Sequence, residues 1–152
     1  MKMISPKNDL RPHMTAALKK NVLPALRNMG FTGTFPHLRR IADHVDLMTF
    51  QFDRNGGGFV MEAARGELSG FTTHWGKFIP ANKLTAWDLH PDQRIRIQPK
   101  QGGGTDSWFR YDAENNLDQI ARNALEEIVK FDWNFGGTPP EKKTTSKDGG
   151  TR

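Results

Sequence analysis

The sequence predicts an α+β fold: an antiparallel sheet of about five strands with N-terminal and C-terminal helices packed on one face. Three observations carry this expectation. Apolar residues recur at helical spacing near both ends, over Met14 to Met29 and again over Leu117 to Ile128. Between them lie short segments whose apolar and polar residues alternate with the period of two that belongs to strands. Glycine runs, Gly56-Gly57-Gly58 and Gly102-Gly103-Gly104, separate these segments as turns separate antiparallel strands.

The first helix places Met14, Leu18, Val22, Ala25, Leu26 and Met29 on one stripe and stops at Gly30. Pro24 lacks an amide donor and crowds the preceding turn, which predicts a kink between Lys20 and Pro24. Lys19, Lys20 and Arg27 fall off the stripe and face solvent. Phe35 to Ile41 is the weakest strand, and Pro36 assigns it to an edge. Val45 to Asp53 is clear, with Met48, Phe50 and Phe52 on one face and Leu47, Thr49 and Gln51 on the other. Asn55-Gly56-Gly57-Gly58 turns the chain, and Phe59 to Arg65 returns.

Gly66 to Pro91 shows no sustained period but holds Trp75, Phe78 and Trp87, which predicts a packed loop with short turns. The stretch Gln93 to Asp112 then reads as a β-hairpin around the second glycine run. The last helix spans Asn116 to Lys130. Asn116 with Gln119 forms a capping box, Leu117, Ile120, Ala121, Ala124 and Ile128 form the stripe, and Phe131, Trp133 and Phe135 pin its end.

At 152 residues the chain is expected to form one α+β domain over residues 1–135, followed by a disordered basic tail over 136–152. That tail carries no apolar side chain larger than proline and cannot offset its ordering entropy by burial. The absence of cysteine removes disulfides, thiolate zinc sites and cysteine nucleophiles. No apolar run is long enough for a signal peptide or a bilayer span, so the expectation is a cytoplasmic protein without membrane contact. The net charge of +5 is unevenly placed. Residues 1–28 hold six Lys/Arg against one Asp, and the tail holds four against two, while residues 29–135 hold twelve against fourteen acidic residues. Nucleic-acid binding needs a clustered basic footprint on the folded surface, so basic ends around an acidic middle make it the weakest partner expectation.

The candidate site comes from the hairpin reading. Alternation turns Ile95, Ile97, Phe109 and Tyr111 one way and Arg94, Arg96, Trp108 and Arg110 the other. Three arginines and a tryptophan make a poor core face. They suit either an anionic group, with Trp108 as a stacking platform, or a protein surface; Gln51 joins them if its strand presents that face. The bland alternative is a solvated sheet face, or one covered by the 66–91 loop with Arg94 or Arg96 paired to Asp88 or Asp92.

Other constellations carry less. His13, His37, His44, His74 and His90 show no HxH or HExxH spacing, so a metal centre would need convergence in space. No G-x-S-x-G is present, and Ser5, Ser69, Ser107 and Ser146 sit in loop or terminal contexts. The carboxylate pairs Glu62/Glu67 and Glu126/Glu127 have no spacing that assigns acid–base work. Both glycine runs join strand to strand, whereas a phosphate loop joins a strand to a helix N-terminus.

The helix ending Met29-Gly30-Phe31, the strand Thr49-Phe50-Gln51-Phe52, the Gly58-Phe59 step, and Arg94-x-Arg96-Ile97 followed by Trp108-Phe109-Arg110 occur in a definite order and spacing. Over roughly Ala17 to Ile128 they resemble the bacterial family of domains of unknown function numbered 4304. The resemblance implies a small bacterial α+β domain with no established activity, no cofactor and no catalytic residue to carry over. Pro24 and the basic tail stand as local departures. The functional expectation is a small non-enzymatic protein-interaction module, immunity-like by analogy alone. The alternative is an anion-binding protein or enzyme using the arginine face with His90 as base. The third is weak nucleic-acid binding through the basic termini.

Overall fold

The computed structural model describes residues 6–99, 107–112 and 116–135, with side chains from Leu10 onward. Helix α1 spans Pro6–Asn21 and α2 spans Leu23–Asn28. The kink predicted at Pro24 takes the form of a break at Val22. The amide of Val22 still reaches the Leu18 carbonyl at 2.8 Å and that of Leu26 reaches the Val22 carbonyl at 3.0 Å. Proline supplies no donor between them, so the ladder loses a rung there.

Strands β1 (His37–Ile41), β2 (Val45–Phe52) and β3 (Gly58–Gly66) form an antiparallel meander. β2 and β3 pair along their whole length, from Val45 opposite Gly66 to Phe52 opposite Phe59. β1 lies at the edge, where Pro36 puts it. The short strands β4 (Phe71–Thr72) and β5 (Phe78–Ile79) pair with each other in a separate hairpin. Strands β6 (Ile95–Ile97) and β7 (Phe109–Arg110) complete the main sheet.

The hairpin expected over Gln93 to Asp112 is corrected here. β6 pairs with β3 at Met61 to Ala63, and β7 pairs with β3 at Gly58 and Phe59. Both run antiparallel to β3, so they follow one another along its edge as an interrupted strand. Period-two alternation fixes which face a side chain takes, and that part stands. It does not say which strand lies alongside, and the nine-residue β3 is long enough to receive both segments. The glycine turn expected at 102–104 and the tail expected at 136–152 lie outside the described residues.

Helix α3 (Leu117–Lys130) begins with half of the expected capping box: the Asn116 side chain accepts from the Gln119 amide at 3.0 Å, while the Gln119 side chain turns forward to Asn123 and Arg122. Its buried stripe of Ile120, Ala121, Ala124 and Ile128 joins Met14, Leu18, Val22 and Leu26 against Leu38, Met48, Phe50, Phe59, Met61, Ile97 and Phe109. Both helical regions therefore cover the same sheet face. Phe131, Trp133 and Phe135 pack edge-on against one another beyond α3. Trp133 reaches Phe31, and the Arg40 guanidinium lies over both rings at 5.6 and 4.6 Å.

The opposite face carries a second, smaller core. Residues 66–91, expected as a packed loop, form with the next two residues an excursion that adds β4, β5 and three single turns of 3-10 helix at Ala81–Lys83, Ala86–Asp88 and Pro91–Gln93. Ile79, Leu84, Ala86 and Leu89 from this excursion close over Val45, Leu47 and Ala64 of the sheet. The Asp88 carboxylate accepts from the Thr85 amide at 2.8 Å, and Arg39 Nε donates to the Leu84 carbonyl at 3.0 Å. The excursion is thus tied down by apolar burial and by backbone capping together.

Candidate functional site

The apolar core under the excursion lies over Val45, Leu47 and Ala64. Beside it the second face carries a polar row, which the sheet register builds. His37 stands opposite Thr49, Thr49 opposite Glu62, and Glu62 opposite Arg96, a line that crosses four strands. His37 Nδ1 and Thr49 Oγ1 share a hydrogen bond of 2.9 Å, and the Trp87 ring meets the His37 ring edge-on at 5.2 Å. Burial holds the His37 pKa below its ordinary value, Asp88 pulls it upward in part, and Arg39 lowers it again.

Each expected site residue has a definite place. Arg94 donates through Nη1 to Glu62 Oε1 at 3.1 Å, through Nε and Nη2 to the Leu89 carbonyl at 3.2 and 3.0 Å, and through Nη2 to the Trp87 carbonyl at 3.4 Å. It ties the excursion to the sheet. The loop folds over this face as the covered alternative held, but the carboxylate it brings Arg94 to is Glu62 on β3, where Asp88 caps its own turn. Arg96 lies with its guanidinium 4.5 Å over the Trp108 ring and donates from Nη2 to the Ser107 carbonyl at 3.2 Å. Arg110 sits at the far end, 3.5 Å from Asp53 and half exposed. A Cβ on Gly58 would fall 3.1 Å from Trp108 Cβ and 3.2 Å from Arg110 Nη1, so both side chains pack closely over β3. Gln51, opposite Val60, shares this face.

The structure therefore brings Arg96 and Trp108 into contact and strings Arg94, Arg96, Trp108 and Arg110 along the edge of β3. Arg94 and Arg110 pair with carboxylates, while Arg96 stands opposite Glu62 in the register and packs on Trp108. Sequence reasoning missed His37, Thr49 and Glu62 as members of the face. Their equal strand parity carried the face, but their alignment depends on register, which one sequence does not print. His90, proposed as a base, is exposed and accepts from the Asp92 amide within its own turn. Among the described residues no group of three or more His, Asp or Glu converges as metal ligands would.

A two-sided antiparallel sheet, with helices on one face and a structured excursion on the other, defines a class of α+β domain. Over residues 22–135 the chain matches the family described as Domain of unknown function (DUF4304), and it belongs to that family. The match starts at Val22 and runs through the Phe131–Trp133–Phe135 segment that closes the helical core. No curated protein and no solved structure gives a significant match.

Proposed function

We propose that this chain is a small protein-interaction module whose contacts come from the 66–93 excursion and the adjoining arginine–tryptophan strip. The supporting observation is the excursion's outer surface: Trp75 is 68% exposed, Phe78 57%, Leu68 50% and Trp87 46%. Full burial of a side chain the size of phenylalanine is worth roughly 1.5–3 kcal/mol, so folding gains little from holding these rings in water. Their backbone is held on the sheet by the second core, which lowers the ordering cost that a partner would otherwise have to offset. Rigid aromatic side chains beside arginines have the composition of protein-binding surfaces. An immunity-like role, in which the domain covers a toxin, is one form this activity takes by analogy.

The test is a tagged pull-down from the native host comparing the wild type with Trp75→Ser/Trp87→Ser and with Arg96→Ala/Arg110→Ala, each first shown to fold by circular dichroism. A stoichiometric protein retained by the wild type and lost from the tryptophan variant supports the module. Identical eluates from all three, or none, contradict it.

A second reading, small-anion binding, draws on Arg96. It lines an open groove of about 390 Å³ with Gln98, Glu127, Lys130 and Phe131, and its Nε is buried with no hydrogen-bond partner among the described residues. Calorimetric titration with inorganic phosphate, repeated on Arg96→Ala, tests it; heat in both proteins or in neither rejects it.

A further inference from the structure

We propose that the β4–β5 hairpin and the 3-10 turn that follows it dock an acidic segment of a protein partner. This rests on the interaction-module reading and names the chemistry of its partner.

The outer surface of the hairpin follows from its register. Phe71 pairs with Ile79, and both belong to the inner core, so the alternate pair Thr72 and Phe78 faces outward. The Phe78 ring lies over Gly70, where a Cβ would come within 2.8 Å of it. Phe78 is therefore placed by the fold despite its exposure. At the tip, the Thr73 amide donates to the Lys77 carbonyl at 2.8 Å, the Gly76 amide to the Thr73 carbonyl at 2.9 Å, and the Lys77 amide to Thr73 Oγ1 at 2.9 Å. These bonds hold Trp75 outward with His74 packed edge-on against it at 4.8 Å.

Along the hairpin and the turn, over residues 68–87, the charge has one sign. Between Glu67 and Asp88 the chain contains no acidic residue, while Lys77 and Lys83 are exposed. Asp88 is turned inward to cap Thr85. Two lysines and a histidine beside the exposed rings of Trp75 and Phe78 complement a surface in which acidic groups surround an apolar anchor. An anionic membrane is the less fitting occupant. Lipid-surface attraction is built from clusters of roughly four to eight basic residues, and of the two exposed rings only Trp75 sits at the tip, with Phe78 on the flank.

The experiment uses the full chain in its host, with a photoreactive benzoylphenylalanine placed at the Trp75 position. The adduct is digested and its cross-linked peptide sequenced. In parallel, capture of the adducted protein is compared among wild type, Lys77→Glu/Lys83→Glu and Phe78→Ser, and purified protein is sedimented with phosphatidylglycerol vesicles. The proposal expects an acidic cross-linked segment, weaker capture with added salt or charge reversal, and a loss of roughly thirtyfold or more for Phe78→Ser, as for truncation of a central aromatic anchor. A basic or neutral segment overturns it. So does capture that ignores every hairpin variant yet disappears in Trp87→Ser, an outcome that keeps the interaction module and removes this site. Hairpin-dependent sedimentation with vesicles and no protein adduct overturns both.

Discussion

Arg94 and Glu62 meet at 3.1 Å across the edge of β3, with about a fifth of each side chain exposed, and the same guanidinium closes on the carbonyls of Leu89 and Trp87. One side chain thereby joins the main sheet to the excursion at both Trp87 and Leu89. Removing it leaves a largely enclosed carboxylate without its cation and two carbonyls without a donor.

Arg94→Ala is therefore expected to lower stability by about 2–3 kcal/mol, below the range for a fully enclosed pair because water still reaches this one. Urea unfolding measures it. The double variant Glu62→Ala/Arg94→Ala is expected to cost less than the sum of the two single changes. Simple additivity would mean the pair contributes nothing as a pair.

His37 makes stability depend on pH in a definite direction. Burial depresses its folded pKa below 6.5, so near and below that pH the unfolded chain binds a proton that the folded chain refuses. The neutral folded form is undisturbed above pH 6.5, and stability falls as pH drops from there toward the folded value. Urea midpoints of wild type and His37→Asn, compared between pH 8 and the acid side of 6.5, are expected to converge on acidification as the wild type loses its advantage. A constant difference across that range would mean His37 does not titrate against folding.

Gly70 and Gly76 both hold positive φ, at 91° and 93°, yet differ in surroundings. A Cβ on Gly70 would lie 2.7 Å from the Ile79 carbonyl, whereas one on Gly76 meets nothing within 4 Å. Gly76→Ala should cost only its backbone strain, about 1 kcal/mol, and Gly70→Ala roughly 1–3 kcal/mol more. Thermal unfolding of the two variants side by side measures the gap. Equal costs would mean the hairpin shifts freely against the excursion.

Trp75→Ser, in contrast, is expected to change stability by less than about 0.5 kcal/mol, because its ring packs mainly on His74 in open solvent. A larger loss in urea unfolding would give Trp75 a folding role and weaken its assignment to a partner.

The parts of the fold legible in the sequence are those whose signal is local. Helix α3 announced itself through Asn116, Gln119 and a five-residue apolar stripe, and β2 through the alternation of Met48, Phe50 and Phe52 with Leu47, Thr49 and Gln51. The arginine face was legible for the same reason, since parity alone separates Arg94, Arg96 and Arg110 from Ile95, Ile97 and Phe109. Pairing was not. That β6 and β7 both lie on β3 depends on which edge is free, and no pattern within Gln93 to Asp112 encodes it. The second core escaped notice because Phe71, Ile79, Leu84 and Leu89 sit on strands and turns too short to show a period. The Arg94–Glu62 pair joins residues 32 positions apart and becomes visible only once β3 and β6 are aligned.

The central claim, that the exposed tryptophans of the excursion meet a protein partner, is tested most directly by hydroxyl-radical footprinting in living host cells and on the purified chain. Trp75 and Trp87 are expected to oxidise readily in the purified protein and to be protected in cells, while exposed Val129 on α3 oxidises alike in both. Equal oxidation of both tryptophans in cells and in purified protein would contradict the account.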